Sequence, residues 1–145
     1  MYFVTGGAFN GKSKWVKAYH QLTSDNCSWL SAYQLDPFPQ SFSKEMKDFI
    51  VLEGIDGWIR EWLKELNDKM VQEKWRNLLN ELQSWEKDDD KRKVILIGTD
   101  ITKGIVPIHS EDRTWRDVCG RVFQDTASQC DEVELIWYGM NRKLK

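Results

Sequence analysis

The chain has 145 residues, of which 41% are hydrophobic and 30% are charged, as is usual for one globular domain. We therefore expect a single domain over residues 1–145 and exclude disordered and fibrous proteins. The 21 Lys and Arg residues nearly balance the 23 Asp and Glu residues, so the chain has no broad positive field to bind nucleic acid or an anionic membrane.

Export and membrane signals are missing from the sequence. The apolar runs fall far short of the roughly 20 residues that a membrane-spanning helix needs, and no leader with a basic and an apolar region is visible. Cys27, Cys119 and Cys130 form no C-x-x-C pair, which argues against a disulfide framework and a structural zinc site. These features predict a cytoplasmic protein with no membrane span.

Strand and helix signals alternate along the chain. Short apolar or β-branched runs predict strands over residues 2–4, 27–33, 48–54, 94–98 and 133–138, and residues 142–145 can form only an edge strand. Apolar residues at helical spacing predict helices from residue 12 onward, over 58–85 as one helix or two broken near Lys69, and over 112–130. In the first helix, the residues at helical spacing are Trp15, Ala18, Tyr19 and Leu22, which would form its apolar face.

This alternation predicts an α/β fold in which a mostly parallel sheet is flanked by helices and ends in a short antiparallel C-terminal edge strand. Pro37 and Pro39 require a loop after the second strand, because proline cannot continue a regular hydrogen-bond pattern. Tryptophans at positions 58, 62, 75 and 85 lie at near-helical spacing. We interpret them as packing residues in preference to a stacking surface for a planar ligand.

A glycine loop follows the first predicted strand and precedes the first predicted helix. Its backbone N–H groups can surround phosphate oxygens, a lysine can contact the β- and γ-phosphates, and a serine hydroxyl can bind Mg²⁺. A nucleotide-binding site is therefore predicted there. The pattern G-x-x-x-x-G-K-[ST] is met in full by Gly6, Gly7, Ala8, Phe9, Asn10, Gly11, Lys12 and Ser13.

Carboxylates follow two of the predicted buried strands. Glu53 comes directly after its apolar run, and Asp100 lies two residues beyond Gly98. The C-terminal ends of parallel strands converge on one edge of the sheet, so both side chains are candidates for the site. Glu53 with Ser13 would hold Mg²⁺, and Lys12, Glu53 and Asp100 are the predicted catalytic residues of a small-molecule kinase.

Other polar residues have more than one interpretation. Arg113, Arg116 and Arg121 lie on or near one predicted helix, where one can face the nucleotide or all can form surface ion pairs. His20 is two helical turns beyond Ser13, and His109 follows a proline-containing loop, so we expect neither to be catalytic.

Three further motifs lie in the second half of the chain: Gly104-Ile105-Val106-Pro107, Arg116-Asp117-x-x-Gly120-Arg121-x-x-Gln124 and Asp131-Glu132-Val133. Together with the residues from Val4 to Ser13, they resemble the bifunctional adenosylcobinamide kinase/adenosylcobinamide-phosphate guanylyltransferase family of cobalamin biosynthesis. The resemblance implies a RecA-like P-loop fold, GTP or ATP with Mg²⁺, a corrinoid substrate, and a homo-oligomer, typically a trimer.

One segment departs from the family pattern. Members that transfer guanylyl do so through a histidine on a helix after the second strand, and residues 32–49 contain no histidine. The resemblance thus favours a shortened member with kinase activity and places the guanylyltransferase activity in doubt. Two alternatives remain open: a non-catalytic nucleotide-binding regulator, and a P-loop kinase of another small alcohol.

Overall fold

A computed structural model describes residues 1–43 and 45–145. In this part of the chain, six strands form one sheet in the order β2-β3-β4-β1-β5-β6. The first five strands are parallel to their neighbours, and β6 pairs antiparallel with β5. The strands are β1 (Tyr2–Gly6), β2 (Cys27–Ser31), β3 (Phe49–Glu53), β4 (Lys93–Thr99), β5 (Glu132–Trp137) and β6 (Met140–Lys143).

Helices follow β1, β3 and β4, and connect each of these strands to the next parallel strand along the chain. A short 3₁₀ turn, Ala32–Gln34, follows β2. The α/β class, the mostly parallel sheet and the antiparallel C-terminal edge strand predicted from the sequence are thereby confirmed. The helices are α1 (Lys12–Tyr19), α2 (Ile55–Trp62), α3 (Asp68–Lys87) and α4 (Ser110–Gln129).

The central strands of the sheet are buried on both faces. Strands β3 and β4 contribute near-continuous buried runs, because helices cover both sides of a parallel sheet. On one face Val4, Ile95 and Ile136 pack with Val16 of α1. On the other face Phe3 and Leu52 pack with residues from α2, α3 and α4, among them Trp58, Val71, Trp75, Leu79, Val118 and Val122.

The tryptophans of α2 and α3 pack inside the protein, in agreement with the sequence interpretation. Trp75 is completely buried, and its indole N–H donates to Thr126 Oγ1 at 2.9 Å. Trp58 and Trp85 are also buried, and Trp62 is half-buried beside Phe38 at a ring distance of 5.2 Å. These side chains therefore hold α2, α3 and the proline-containing loop together.

Two predicted boundaries were wrong. Strand β2 ends at Ser31, not at residue 33, because the Asp36 carboxylate accepts from the Ser31 N–H at 2.9 Å and turns the chain. The predicted alternative of two helices broken near Lys69 is confirmed, since the second helix begins at Asp68, where the Asn67 side chain accepts from the Met70 N–H at 2.9 Å. The first of the two begins at Ile55, three residues before the predicted start.

The predicted apolar face of α1 was also wrong. Lys12 and Val16 are its buried residues, whereas Ala18 and Tyr19 are exposed. Trp15 and Tyr19 stack on each other along the helix flank, with ring centroids 4.6 Å apart. The helix is only eight residues long, so it buries one narrow stripe.

No helix among the described residues combines the length and the apolarity needed to cross a bilayer.

Candidate functional site

The glycine loop (residues 6–13) joins β1 to α1 at the C-terminal edge of the sheet. Gly6 and Gly11 have φ values of 144° and 87°, which glycine adopts without strain. A Cβ on Gly6 would lie 2.2 Å from the Ile136 carbonyl oxygen, so no larger residue fits there. Gly11 precedes α1, and the first N–H groups of that helix are available to an anion.

Lys12 lies under the loop and is only 7% exposed. Its Nζ donates to the carbonyl oxygens of Gly6 at 3.2 Å and Gly7 at 2.9 Å. Burial lowers the pKa of Lys12, and the negative charges of Asp56 and Glu53 oppose that effect. The ammonium group is therefore held close to these two carboxylates, inside a cradle formed by residues 6–13 and the end of β3.

The structure brings Ser13 and Glu53 together, as the sequence predicts. Ser13 Oγ donates to Glu53 Oε1, and the indole N–H of Trp29 donates to the other carboxylate oxygen at 3.0 Å. Glu53 ends β3, which is separated from β1 by β4, so its side chain reaches across a neighbouring strand to the loop. A hydroxyl beside a carboxylate supplies the hard oxygen ligands that Mg²⁺ prefers.

Asp100 follows β4 and lies next to the loop through its backbone, since its N–H donates to the Gly6 carbonyl at 3.0 Å. Its carboxylate turns towards its own loop, where it accepts from the N–H and the hydroxyl of Thr102 at 3.0 and 2.5 Å. Lys103 Nζ lies 3.5 Å away. Burial alone would raise the pKa of Asp100, but Thr102 and Lys103 outweigh it and lower that pKa.

Asp56 is a site residue that the sequence analysis did not select. It lies in the first turn of α2 and is 5% exposed. Its Oδ1 accepts from the Thr99 N–H at 2.9 Å and from the Tyr33 hydroxyl at 2.9 Å, and that hydroxyl lies 2.8 Å from Thr99 Oγ1. Burial raises the pKa of Asp56, against the hydrogen bonds from Thr99 and Tyr33 and the charge of Lys12.

A sequence signal for Asp56 did exist. The acid stands three residues after Glu53, at the same edge of the sheet where the other candidate carboxylates were sought. The predicted start of the helix at residue 58 left Asp56 in a connection, whereas the observed start at Ile55 places it in the first helical turn.

The arginines of α4 engage protein groups. Arg113 donates to the carbonyl oxygens of Pro107 and Ile108 and so holds the loop before the helix. Arg116 lies 3.5 Å from Asp117, and Arg121 lies 3.4 Å from Asp68. Of the two alternatives, contact with the nucleotide or surface ion pairs, the structure shows ion pairs for Arg116 and Arg121.

Of the two histidines, His20 packs against other side chains and His109 is exposed to solvent, as the sequence predicts. The half-buried ring of His20 meets Tyr2 edge-on at a centroid distance of 4.8 Å, and burial lowers the pKa of His20. His109 is exposed at the start of α4.

A cleft of about 870 Å³ opens between the end of α2 and the start of α4. Arg60 pairs with Asp112 at 3.1 Å and lies over the ring of Trp115 at 4.5 Å. The indole N–H of Trp115 donates to the Asp56 carbonyl at 2.7 Å, which joins the cleft to the edge of the site. The other residues that line the cleft are Leu63, Lys64, Leu66, Asn67, Asp68, Ser110, Glu111 and Thr114.

Sheet order and loop define the class of protein. The strand that leads into the glycine loop is separated by one strand from the strand that ends in the carboxylate, within a mostly parallel sheet. This is a P-loop NTPase-like α/β fold. Among the described residues, no group of three His, Cys, Asp or Glu side chains is placed to hold a metal ion by itself.

Comparison with known proteins identifies the family. The family model described as cobinamide kinase / cobinamide phosphate guanyltransferase (CobU) matches residues 26–144, so the chain belongs to that family. A relative from Salmonella typhimurium strain LT2, the bifunctional adenosylcobalamin biosynthesis protein CobU, is 42% identical over 53 residues. The match covers 37% of this chain and 29% of that protein, so less than a third of the relative is represented.

Proposed function

We propose that the chain is a nucleotide-dependent kinase that transfers the γ-phosphoryl group of GTP or ATP to a hydroxyl of a cobinamide-type corrinoid. The observation that carries the proposal is the contact between Ser13 and Glu53 beside the buried Lys12. A glycine loop without a function in phosphate binding would have no need for a cation, a hydroxyl and a carboxylate at one point.

In this proposal, the residues of the loop divide the work of binding. The N–H groups of residues 6–13 and the start of α1 surround the phosphate oxygens, and Lys12 moves its ammonium from the Gly6 and Gly7 carbonyls to the β- and γ-phosphates. Ser13 and Glu53 would hold Mg²⁺, which neutralises developing phosphate charge when it is bound. Alignment and charge supply most of the rate in such a reaction.

The remaining carboxylates would act on the acceptor side. We assign Lys12, Glu53 and Asp100 as catalytic residues, with Asp100 able to accept the proton of the acceptor hydroxyl once its loop turns towards the site. Asp56 is assigned as a positioning residue, because it orients Tyr33 and Thr99 and adjusts the charge of Lys12.

The cleft beside Trp115 is the proposed acceptor site. It lies at the same edge of the sheet as Asp56, and its lining combines an aromatic ring with both positive and negative side chains. A corrinoid carries amide side chains around an apolar ring, and this mixture can contact both. The protein is further proposed to act in the cytoplasm and, as its family resemblance implies, as a homo-oligomer.

The test of the kinase proposal uses two lysines that are two residues apart. Lys12→Met keeps the alkyl stem and removes the ammonium, so we expect phosphorylation of adenosylcobinamide to fall by about 10²- to 10³-fold or more. Lys14→Ala is the matched control, because Lys14 is exposed, and its activity should equal that of the wild type. Circular dichroism spectra of both variants show whether the fold is retained; unchanged activity in Lys12→Met refutes the proposal.

Two results separate the alternative functions. Tight nucleotide binding without turnover of any acceptor would support a non-catalytic regulator, and turnover of a different alcohol in a substrate panel would support another P-loop kinase.

Guanylyl transfer is not part of the proposed activity, because residues 32–49 contain no histidine to carry GMP. After incubation of the protein with GTP and Mg²⁺, the intact mass should therefore be unchanged. A stable added mass of one GMP would contradict this prediction and restore the second activity of the family.

A further inference from the structure

The turn between β5 and β6 exposes two aromatic rings that the proposed chemistry leaves unused. Trp137 and Tyr138 are 62% and 77% exposed and stack on each other, with centroids 5.6 Å apart and an interplanar angle of 23°. Tyr138 and Gly139 both have positive φ, at 52° and 77°. Two such residues form the tight type I′ turn of a hairpin, so the rings are held on a rigid support.

This turn is fixed to the glycine loop. The Tyr138 N–H donates to Asn10 Oδ1 at 3.1 Å, and the Gly139 N–H donates to the Asn10 carbonyl at 2.9 Å. A Cβ built on Gly11 would lie 3.5 Å from Gly139 Cα, so the two backbones lie close together. One residue of the loop thus sets the position of both aromatic rings relative to the phosphate cradle.

The strand order places the two rings on the side of the glycine loop where the nucleobase is expected, opposite the γ-phosphate. Strand β1 has β4 and then β3 with Glu53 on one side, and β5 on the other. The Ser13–Glu53 pair and the acceptor cleft lie on the β3 side, where the γ-phosphate must meet the acceptor. The rest of the nucleotide then extends from the cradle towards β5 and its turn.

We infer that Trp137 and Tyr138 form a stacking platform for the nucleobase of the nucleoside triphosphate held by the glycine loop. The inference rests on the proposed function, since it assumes that the triphosphate binds at residues 6–13. Every base has a π face that can stack on an aromatic ring, and such stacking is tolerant of base identity. The platform therefore predicts that GTP and ATP bind with similar affinities.

The test compares ligands with and without a base. Dissociation constants for GTP, ATP and inorganic tripolyphosphate, each with Mg²⁺, are measured by titration calorimetry on the wild type and the variants. Tyr138→Asn removes one ring and leaves an Asn-Gly pair, which a type I′ turn favours, so the hairpin should stay folded. Trp137→Ala removes the other ring, Trp137→Phe keeps a stacking surface, and Met140→Ala changes an exposed neighbour outside the stack.

We expect the Trp137→Ala and Tyr138→Asn variants to bind GTP and ATP about 10- to 100-fold more weakly, with tripolyphosphate affinity unchanged. Trp137→Phe and Met140→Ala should stay within about threefold of the wild type, because they retain the stacking surface or lie outside it.

Three outcomes overturn the inference. The first is equal loss of nucleotide and tripolyphosphate affinity, which places the effect on the cradle. The second is unchanged nucleotide affinity in both ring variants. The third is that a ring variant has a different oligomeric mass in analytical ultracentrifugation while its nucleotide affinity is unchanged. The rings would then be a contact between copies of the chain.

If the proposed function itself is wrong, the binding measurements give a different result. In that case the wild type itself binds neither tripolyphosphate nor nucleotide, and Lys12→Met changes nothing.

Discussion

Two carboxylates and a buried environment act in opposite directions on the charge of Lys12. Burial lowers the pKa of the ammonium, whereas Asp56 and Glu53 raise it. In the proposed function Lys12 binds phosphate as an ammonium ion, so these carboxylates would extend the pH range over which the cradle binds an anion. Because Glu53 is assigned to the metal in the proposed function, Asp56 is the carboxylate whose charge can be removed to test this idea.

The Asp56→Asn variant should have a characteristic pH dependence. At alkaline pH the Asp56 carboxylate is ionised and raises the pKa of Lys12, so its removal lets Lys12 lose its proton at a lower pH. The alkaline limb of nucleotide affinity therefore moves to lower pH in the variant. Near neutral pH the variant should bind as tightly as the wild type or more tightly, because a negative charge close to the phosphates is gone.

The measurement is nucleotide affinity from pH 7 to about pH 10, where free lysine loses its proton. Asp25→Asn, in an exposed loop, is the control and should follow the wild-type profile. An unshifted alkaline limb in Asp56→Asn would show that Asp56 does not influence Lys12.

At the scale of elements, the site was more predictable than its surroundings. The glycine loop and the position of Glu53 follow from local patterns: a glycine motif between strand and helix, and an acid at the end of a buried strand. The short helix α2 was harder to place, because Gly54 and Gly57 weaken the helical signal at its start. Asp56 was missed for this reason.

Contacts between distant segments were beyond the sequence patterns. Asn10 and Tyr138 are 128 positions apart, and no periodicity links a loop residue to a hairpin turn. The same holds for the Trp29 indole, whose N–H donates to Glu53 from a neighbouring strand. Such pairs depend on strand order and register, which periodicity leaves undetermined.

At the scale of the whole molecule, the described residues form one sheet with helices on both faces, and the proposed ligand would contact the centre of this sheet. Residues of the cradle come from the connection after β1 and from the end of β3, and the proposed platform comes from the turn after β5. A bound nucleotide would thus join the middle of the sheet to its edge. This arrangement predicts that binding stabilises residues 1–145 as one unit, and not one part of the chain alone.

Thermal unfolding tests that prediction. Tryptophan fluorescence and far-ultraviolet circular dichroism should report the same single transition, as expected for one domain of 145 residues.

Nucleotide with Mg²⁺ at a hundred times its Kd should stabilise the fold by about 2.7 kcal/mol, which raises the melting temperature by roughly 5–10 °C in a domain of this size. The Lys12→Met variant should show no such shift, since its cradle lacks the ammonium. Two separate transitions, of which only one responds to nucleotide, would mean that the chain unfolds as two units and that the site belongs to one of them.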